Sequence, residues 1–477
     1  MKNDFSLSKI IQLTFPTLIS QATLMLVGII DMYFAGTIGT AAITALAIAH
    51  TSWSMIVAFF EGLRLGTTIL ASQFFGAQRE EDMYHVGRIG LGISFIMGAL
   101  LIIFGKPISI LIYSIIIKDP EVQKLGIQYL PIILASGGFV FSTFVIDGMF
   151  RSVNRVTIPT IITVITQSLN IMLNCVFVWG KIDFVFRIPW MTTSPFNIPV
   201  KLYFCESMGI KGIAYATLTA YMVATLFAVG ALYFQGFKQL FKKLSSSFRT
   251  ILGEYFRSAA GVGLHSGFRL MAMLIFNKML GVLGTSAVAS FQIASQVFHM
   301  SYIPGLAFMF TMSLLIARLM GAKQTHMLWH VAVRVAGTAL ACSALLGIIV
   351  YGSALHIAQF FSPTDLAVAQ DAAMLIRIVA FNQFIVMLNF MFRGYLNGAK
   401  ETTFLMLASV LTTYGVFLPI AYLCAVPMGY GLIGAYVGVV TWNIVDTLVN
   451  AFKARQVAHR LRQEDAIIDA IENPFDE

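Results

Sequence analysis

One carboxylate stands inside an apolar run at LMLVGIIDMYFAG, residues 24–36, where Asp31 is the only charged side chain. An ionisable group at membrane depth is costly, and such groups face protein or water and mark ion pathways. Burial disfavours the charged form of a carboxylate, so a group of this kind can load and release a proton. Pro16 lies about four turns upstream on the same helix. Proline removes a backbone hydrogen bond and leaves a weak point for bending. In SLNIMLN, Asn170 and Asn174 are one turn apart and share a face. In AFFEGLRLG, Glu61 and Arg64 are three apart and can pair along a helix. Asn443, Asp446 and Asn450 form a polar stripe at i, i+3 and i+7 spacing, a candidate cavity lining. Arg269, Lys278 and Arg377 add positive charge inside other apolar segments.

The elements that carry these residues follow from composition. Of 477 residues, 58% are hydrophobic and only 11% charged, with a mean hydropathy of +0.82. A soluble domain of this length cannot hide so much apolar surface, so lipid is the main solvent. About twelve apolar segments reach the ~20 residues needed to span the hydrocarbon. Backbone groups in lipid must be satisfied within each segment, so the segments are helices. The net charge of +9 does not point to nucleic acid. With a cytoplasmic N-terminus and twelve spans, most Lys and Arg fall in inner loops, which is the positive-inside bias. FKQLFKKLSSSFRT, residues 237–250, is the densest of these, a basic stretch suited to an anionic inner leaflet. The expected fold class is an all-α polytopic membrane protein with both termini cytoplasmic.

The chain also repeats itself. Residues 36–78, GTIGTAAITALAI to ASQFFGAQ, align without a gap on 281–323, GVLGTSAVASFQI to IARLMGAK, with ten identities in 43 positions. The same offset of 245 pairs Arg155 and Thr157 with Lys400 and Thr402. Two halves of six spans enter from the same side, so they are parallel repeats about an axis along the membrane normal, with substrate expected between them. The expected division is 1–235 for the first lobe, 236–250 for a basic cytoplasmic linker, 251–455 for the second lobe and 456–477 for a cytoplasmic tail. After the fifth span the register breaks: KIDFVFRIPWMTTSPFNIPVKLYFCE accounts for 23 extra residues in the first half. This Pro-rich, aromatic outer loop reads equally as a lid or as decoration.

The ordered motifs FPTLISQ, DMYFAGTIGTAAITALAI, ASQFFGAQ, SLNIMLN, MGIKGIAYAT, LGTSAVAS and RLMGAK run nearly end to end. By them the chain resembles the multidrug and toxic compound extrusion (MATE) transporters of the multidrug/oligosaccharidyl-lipid/polysaccharide flippase superfamily. The resemblance implies twelve helices in two pseudo-symmetric lobes, a central cavity, and export of organic solutes in exchange for H⁺ or Na⁺. It implies a first-lobe ion-coupling pocket of Asp31, Asn170, Asn174 and Thr217. It also makes Pro16 the hinge whose bend follows protonation of the carboxylate. Many relatives carry an aspartate where this chain has Asn174, and one carboxylate fewer favours H⁺ over Na⁺. Near Arg269 some relatives carry an acidic coupling residue, so a second-lobe cation site is in doubt.

The expected activity is therefore secondary antiport by alternating access in the bacterial inner membrane. The expected partners are a small organic substrate and lipid, the assembly a monomer, and the cofactor none beyond the coupling ion. A lipid-linked or metabolite flippase of the same superfamily is the near alternative. A channel lacks its repeated filter segment. An enzyme lacks its nucleophile–base set, metal ligands or phosphate-binding loop. Arg64, Arg269, Lys278 and Arg377 at least match Asp31, Glu61 and Asp446 in number, whereas a cavity built for lipophilic cations should lean acidic. Tolerance of anionic or zwitterionic substrates is expected. The four cysteines, Cys175, Cys205, Cys342 and Cys424, have no metal or redox spacing and read as packing residues.

Overall fold

The computed structural model describes residues 7–179, 181–186, 198–203, 207–241, 248–283, 285–361 and 366–472. Cys205, the middle of the outer-loop insertion, residues 242–247 of the basic linker and the last five residues lie outside these. The first half contains α1 (Leu7–Ile38), α2 (Thr40–Gly76), α3 (Glu80–Ile116), α4 (Pro120–Ala135), α5 (Gly137–Ser152), α6 (Thr157–Trp179) and α7 (Ile210–Phe234). The second contains α8 (Phe248–Val282), α9 (Thr285–Gly321), α10 (Leu328–Phe361), α11 (Leu366–Gly398), α12 (Thr402–Thr412), α13 (Leu418–Ala425) and α14 (Gly431–Glu472).

Among the described residues, eleven helical segments are long and apolar enough to cross a membrane. α4 and α5 form one of these, interrupted at Ser136, and α12 and α13 form another. The remaining long helix, α8, carries the charged residues Glu254, Arg257, Arg269 and Lys278. Large side chains such as Phe95, Ile115, Leu226, Ile348 and Phe360 stand exposed on the outer faces of the bundle. Helices apolar on both the core and the outer side suit lipid as solvent.

The repeat seen in sequence reappears as geometry. Four spans end in the same turn. Gln78, Asn154, Lys323 and Lys400 all have positive φ, between 53° and 64°. After each, the next residue's N–H reaches back five positions, as from Arg79 to the Phe74 carbonyl and from Gln324 to the Leu319 carbonyl. This satisfies the last free carbonyls of the helix, the Schellman pattern, here closed by residues other than glycine. The contact between halves is also two-fold. A Cβ on Gly76 of α2 would collide with the Arg318 carbonyl of α9, and one on Gly321 would collide with the Gln73 carbonyl. Residues 318 and 321 stand at the repeat offset from 73 and 76, so the two sides of the seam are equivalent, as in an isologous interface. One step along the helices, Gly66 packs on Ala259 of α8. At the equivalent positions, Thr14 and Thr311 share a hydrogen bond of 3.0 Å. The halves are thus joined backbone to backbone at the ends that carry the basic loops.

Two local features differ from the sequence reading. The insertion is not a plain loop: β1 (Lys181–Phe186) and β2 (Ile198–Tyr203) pair antiparallel, Lys181 opposite Tyr203. Alternating Ile and Phe side chains give KIDFVF its strand character. Between α12 and α13, residues Thr413–Phe417 form a widened turn, a distortion that often re-aims side chains at functional sites. The charged tail is helical, since α14 runs on to Glu472. Its Lys453 and Arg460 pair with Glu401 at 3.4 and 3.1 Å.

Candidate functional site

Two buried carboxylates lie in the two halves, and their surroundings differ. In the first half, α1, α6 and α7 place Asp31, Asn174, Asn170 and Thr217 in one connected chain. Asp31 is only 4% exposed. Asn174 donates from Nδ2 to Asp31 Oδ1 at 2.8 Å and to Asn170 Oδ1 at 3.2 Å. Asn170 donates to Thr217 Oγ1 at 3.0 Å. One asparagine turn on α6 therefore bridges α1 and α7. The Asn174 Oδ1 atom is buried with no hydrogen-bond partner, an open acceptor beside the carboxylate. On the other side, His50 of α2 brings Nε2 to 3.9 Å from Asp31 Oδ2. His50 gives no signal in the sequence, because one histidine in AIAHTSW has no periodic partner. Its ring reaches the site across Gly28, where a Cβ would stand 3.7 Å from it. Pro16 sits inside α1 without ending it, and its carbonyl accepts from Thr160 of α6 at 2.9 Å.

In the second half, Asp446 is 5% exposed and accepts three hydrogen bonds. They come from Asn389 at 2.8 Å, Thr412 at 2.9 Å and Asn450 at 3.3 Å. The widened turn begins directly after Thr412. Asn443, next along the same helix, is buried with an unpartnered Nδ2. The repeat offset carries Asp31 to Phe276, which is fully buried against Phe291 and Phe417 at ring distances of 5.1 and 4.9 Å. The carboxylate pocket of one half is an aromatic plug in the other.

Between the halves lies a cavity of ≈ 330 Å³. Its charged lining is Glu61, Arg64, Arg269 and Arg393, with Tyr302, Phe310 and Phe390 among its aromatic walls. Arg64 donates to Glu61 and lies 3.6 Å from Asp147, whose other oxygen takes Arg151 at 2.6 Å. Arg269 donates to the Tyr302 hydroxyl. Of the residues singled out in sequence for the cavity, Glu61, Arg64 and Arg269 line it. Lys278 is exposed on α8, and Arg377 is exposed with its guanidinium 5.9 Å from the Tyr351 ring. Asn443 and Asp446 belong to the second-half cluster instead. Arg393, absent from the sequence reading, sits in MFRGYLNG directly before the tightly packed Gly394.

Comparison with known families matches the chain twice to MatE, over residues 16–176 and 263–423. The chain belongs to the MatE family. The two matches begin at nearly the repeat offset, in agreement with the symmetric seam. Among curated proteins, the chain is 23% identical over 455 residues to a probable multidrug resistance protein NorM of Halalkalibacterium halodurans, covering 94% of each. It is 21% identical over 448 residues to that of Bacillus anthracis, covering 92% of this chain and 93% of the relative. Among solved structures it is similar to an outward-facing multidrug resistance MATE family transporter of the MOP superfamily. There the TM-score is 0.82 at 21% identity, over 95% of this chain and 96% of that one. As a MatE protein the chain is a multi-pass membrane transporter rather than an enzyme. Its two-lobed helical fold is that of the family.

Proposed function

We propose that this MatE transporter exports organic solutes by alternating access in exchange for H⁺, with Asp31 as the group that carries the proton. The supporting observation is the contrast between the two carboxylates. Asp446 accepts from three donors that hold it in place in the second lobe. Asp31 has one amide donor, an imidazole alongside and an open amide oxygen beside it. A single carboxylate gives few of the anionic oxygens that a hard cation such as Na⁺ prefers, which supports H⁺. The basic loops near the sealed seam support a cytoplasmic position for it, and with it an outward-open reading of this shape. On this reading the lobes are 1–235 and 251–455, joined by the linker 236–250. The tail 456–477 is cytoplasmic, and the monomer works in the bacterial inner membrane.

The test is efflux from proteoliposomes under separately imposed pH and Na⁺ gradients. A pH gradient alone should drive export and a Na⁺ gradient alone should not. Asp31→Asn should lower driven export by more than tenfold. Undiminished pumping by that variant at every external pH overturns the reading.

A further inference from the structure

We infer that Arg151 is a positioning residue that couples bending of α1 at Pro16 to the parting of the two lobes, by holding Thr17 of α1 against Phe310 of α9. The inference rests on the export reading for its purpose and names the link between hinge and seam. Two contacts leave α1 on either side of Pro16 and end on one step of α9. Before the proline, Thr14 shares its hydrogen bond of 3.0 Å with Thr311. After it, Thr17 accepts a hydrogen bond from Arg151 Nη1, and the Arg151 guanidinium lies 5.8 Å from the Phe310 ring. Phe310 and Thr311 are neighbours in sequence. Thr17, Arg151 and Phe310 are all buried, at 1%, 4% and 4% exposure.

Arg151 is itself held. Its Nε donates to Asp147 Oδ1 at 2.6 Å, and the other Asp147 oxygen lies 3.6 Å from Arg64. Arg64 stands 5.0 Å from the same Phe310 ring. One carboxylate of the first lobe thus fixes two guanidinium groups around an aromatic side chain of the second, and such contacts gain strength where water is excluded. The Thr17 hydroxyl is fully used, since it also donates to the Leu13 carbonyl at 3.1 Å. Pro16 offers no N–H to the carbonyl four residues earlier, which weakens α1 at this turn. A bend there swings Thr17 relative to Thr14. Both cannot then keep their contacts with adjacent residues of α9, so bending breaks a bond between the lobes, and a closed seam holds α1 in its present shape. A planar guanidinium meets carboxylate, hydroxyl and ring at fixed angles, which a point-like ammonium does not.

Spin labels at Ala77→Cys and Lys323→Cys, exposed positions just beyond the ends of α2 and α9, report the seam once the native cysteines are replaced. Pulsed electron resonance on the purified full chain in detergent gives the ratio of closed to open molecules at one fixed pH. Thr17→Val, Arg151→Gln and Phe310→Leu should each lower that ratio about threefold or more. Thr17→Val combined with Arg151→Gln should lower it no further than Arg151→Gln alone, because both act through one contact. Arg151→Lys keeps the charge beside Asp147 but loses the fork, so it should restore the melting temperature and leave the ratio low. Thr17→Val and Arg151→Lys carry the test if Arg151→Gln does not fold. An unchanged ratio in either of them overturns the inference, as does a double variant whose effect is the product of the singles. With one pH and no gradient, the result stands apart from whether Asp31 carries a proton.

Discussion

His50 Nε2 lies 3.9 Å from Asp31 Oδ2 and ties the second helix to the carboxylate of the first. A protonated imidazole at that distance opposes proton loading of the acid, whereas a neutral one does not. His50→Gln should therefore shift the pH–export profile toward higher pH only on its acid side, where the imidazole is charged, while leaving maximal export within a few-fold. Efflux measured across a pH series checks this, and a superimposable profile counts against any role for the histidine.

On the proposed reading, Asn174 is the position at which the choice of coupling ion can be tested. Its amide both donates to Asp31 and presents a bare oxygen. Asn174→Asp places a second carboxylate there, and hard cations favour anionic oxygen ligands. Export by Asn174→Asp should become dependent on Na⁺, measured as efflux under a Na⁺ gradient at equal pH on both sides. Indifference to Na⁺ would show that carboxylate count does not set ion choice here.

Thr14 and Thr311 meet across the seam with oxygens 3.0 Å apart. A Thr14→Cys/Thr311→Cys pair, with the native cysteines replaced, brings two sulfurs within reach of a disulfide. Oxidation should lock the seam and stop export, and reduction should restore it. Export that continues with the cross-link formed would mean that this seam does not open during transport.

Asp446 is expected to matter for stability more than for coupling. Replacing it with Leu strands three donors in a buried cluster, each costing about 1–3 kcal/mol when left unpaired. Thermal unfolding in detergent should fall by several degrees for Asp446→Leu. Asp446→Asn, which keeps an acceptor, should lose less. Unchanged melting would show that the cluster is not under-satisfied when the acid goes.

The helices and the first-lobe pocket were legible because polar residues in apolar runs are conspicuous. Asp31, Asn170 and Asn174 advertise themselves by cost and by helical spacing. What escaped notice depends on partners distant in sequence. Asn389 and Thr412 reach Asp446 from other helices, 57 and 34 residues away. Arg393 looks like a loop-end cation beside RGYLNG until the packing of α9 against Gly394 turns it toward the cavity. Conversely, Lys278 and Arg377 look intramembrane by composition, but the rotation of their helices, set by neighbours, leaves them exposed. The strands β1 and β2 were hidden by prolines and aromatics that suggested an irregular loop.

The cavity lining of three arginines and one glutamate, Arg64, Arg269, Arg393 and Glu61, has an electrical consequence for the solute it admits. An exporter that sends an anion outward while a proton returns inward shifts two charges per cycle in the same sense. Each charge crossing ~100 mV is worth about 2.3 kcal/mol, so the voltage alone supplies about 4.6 kcal/mol, roughly a two-thousandfold accumulation at about 1.4 kcal/mol per decade. Export of a monovalent cation against the same proton would be electrically silent. A solid-supported membrane should therefore register a transient current with an exported aromatic carboxylate and none with an exported aromatic ammonium ion.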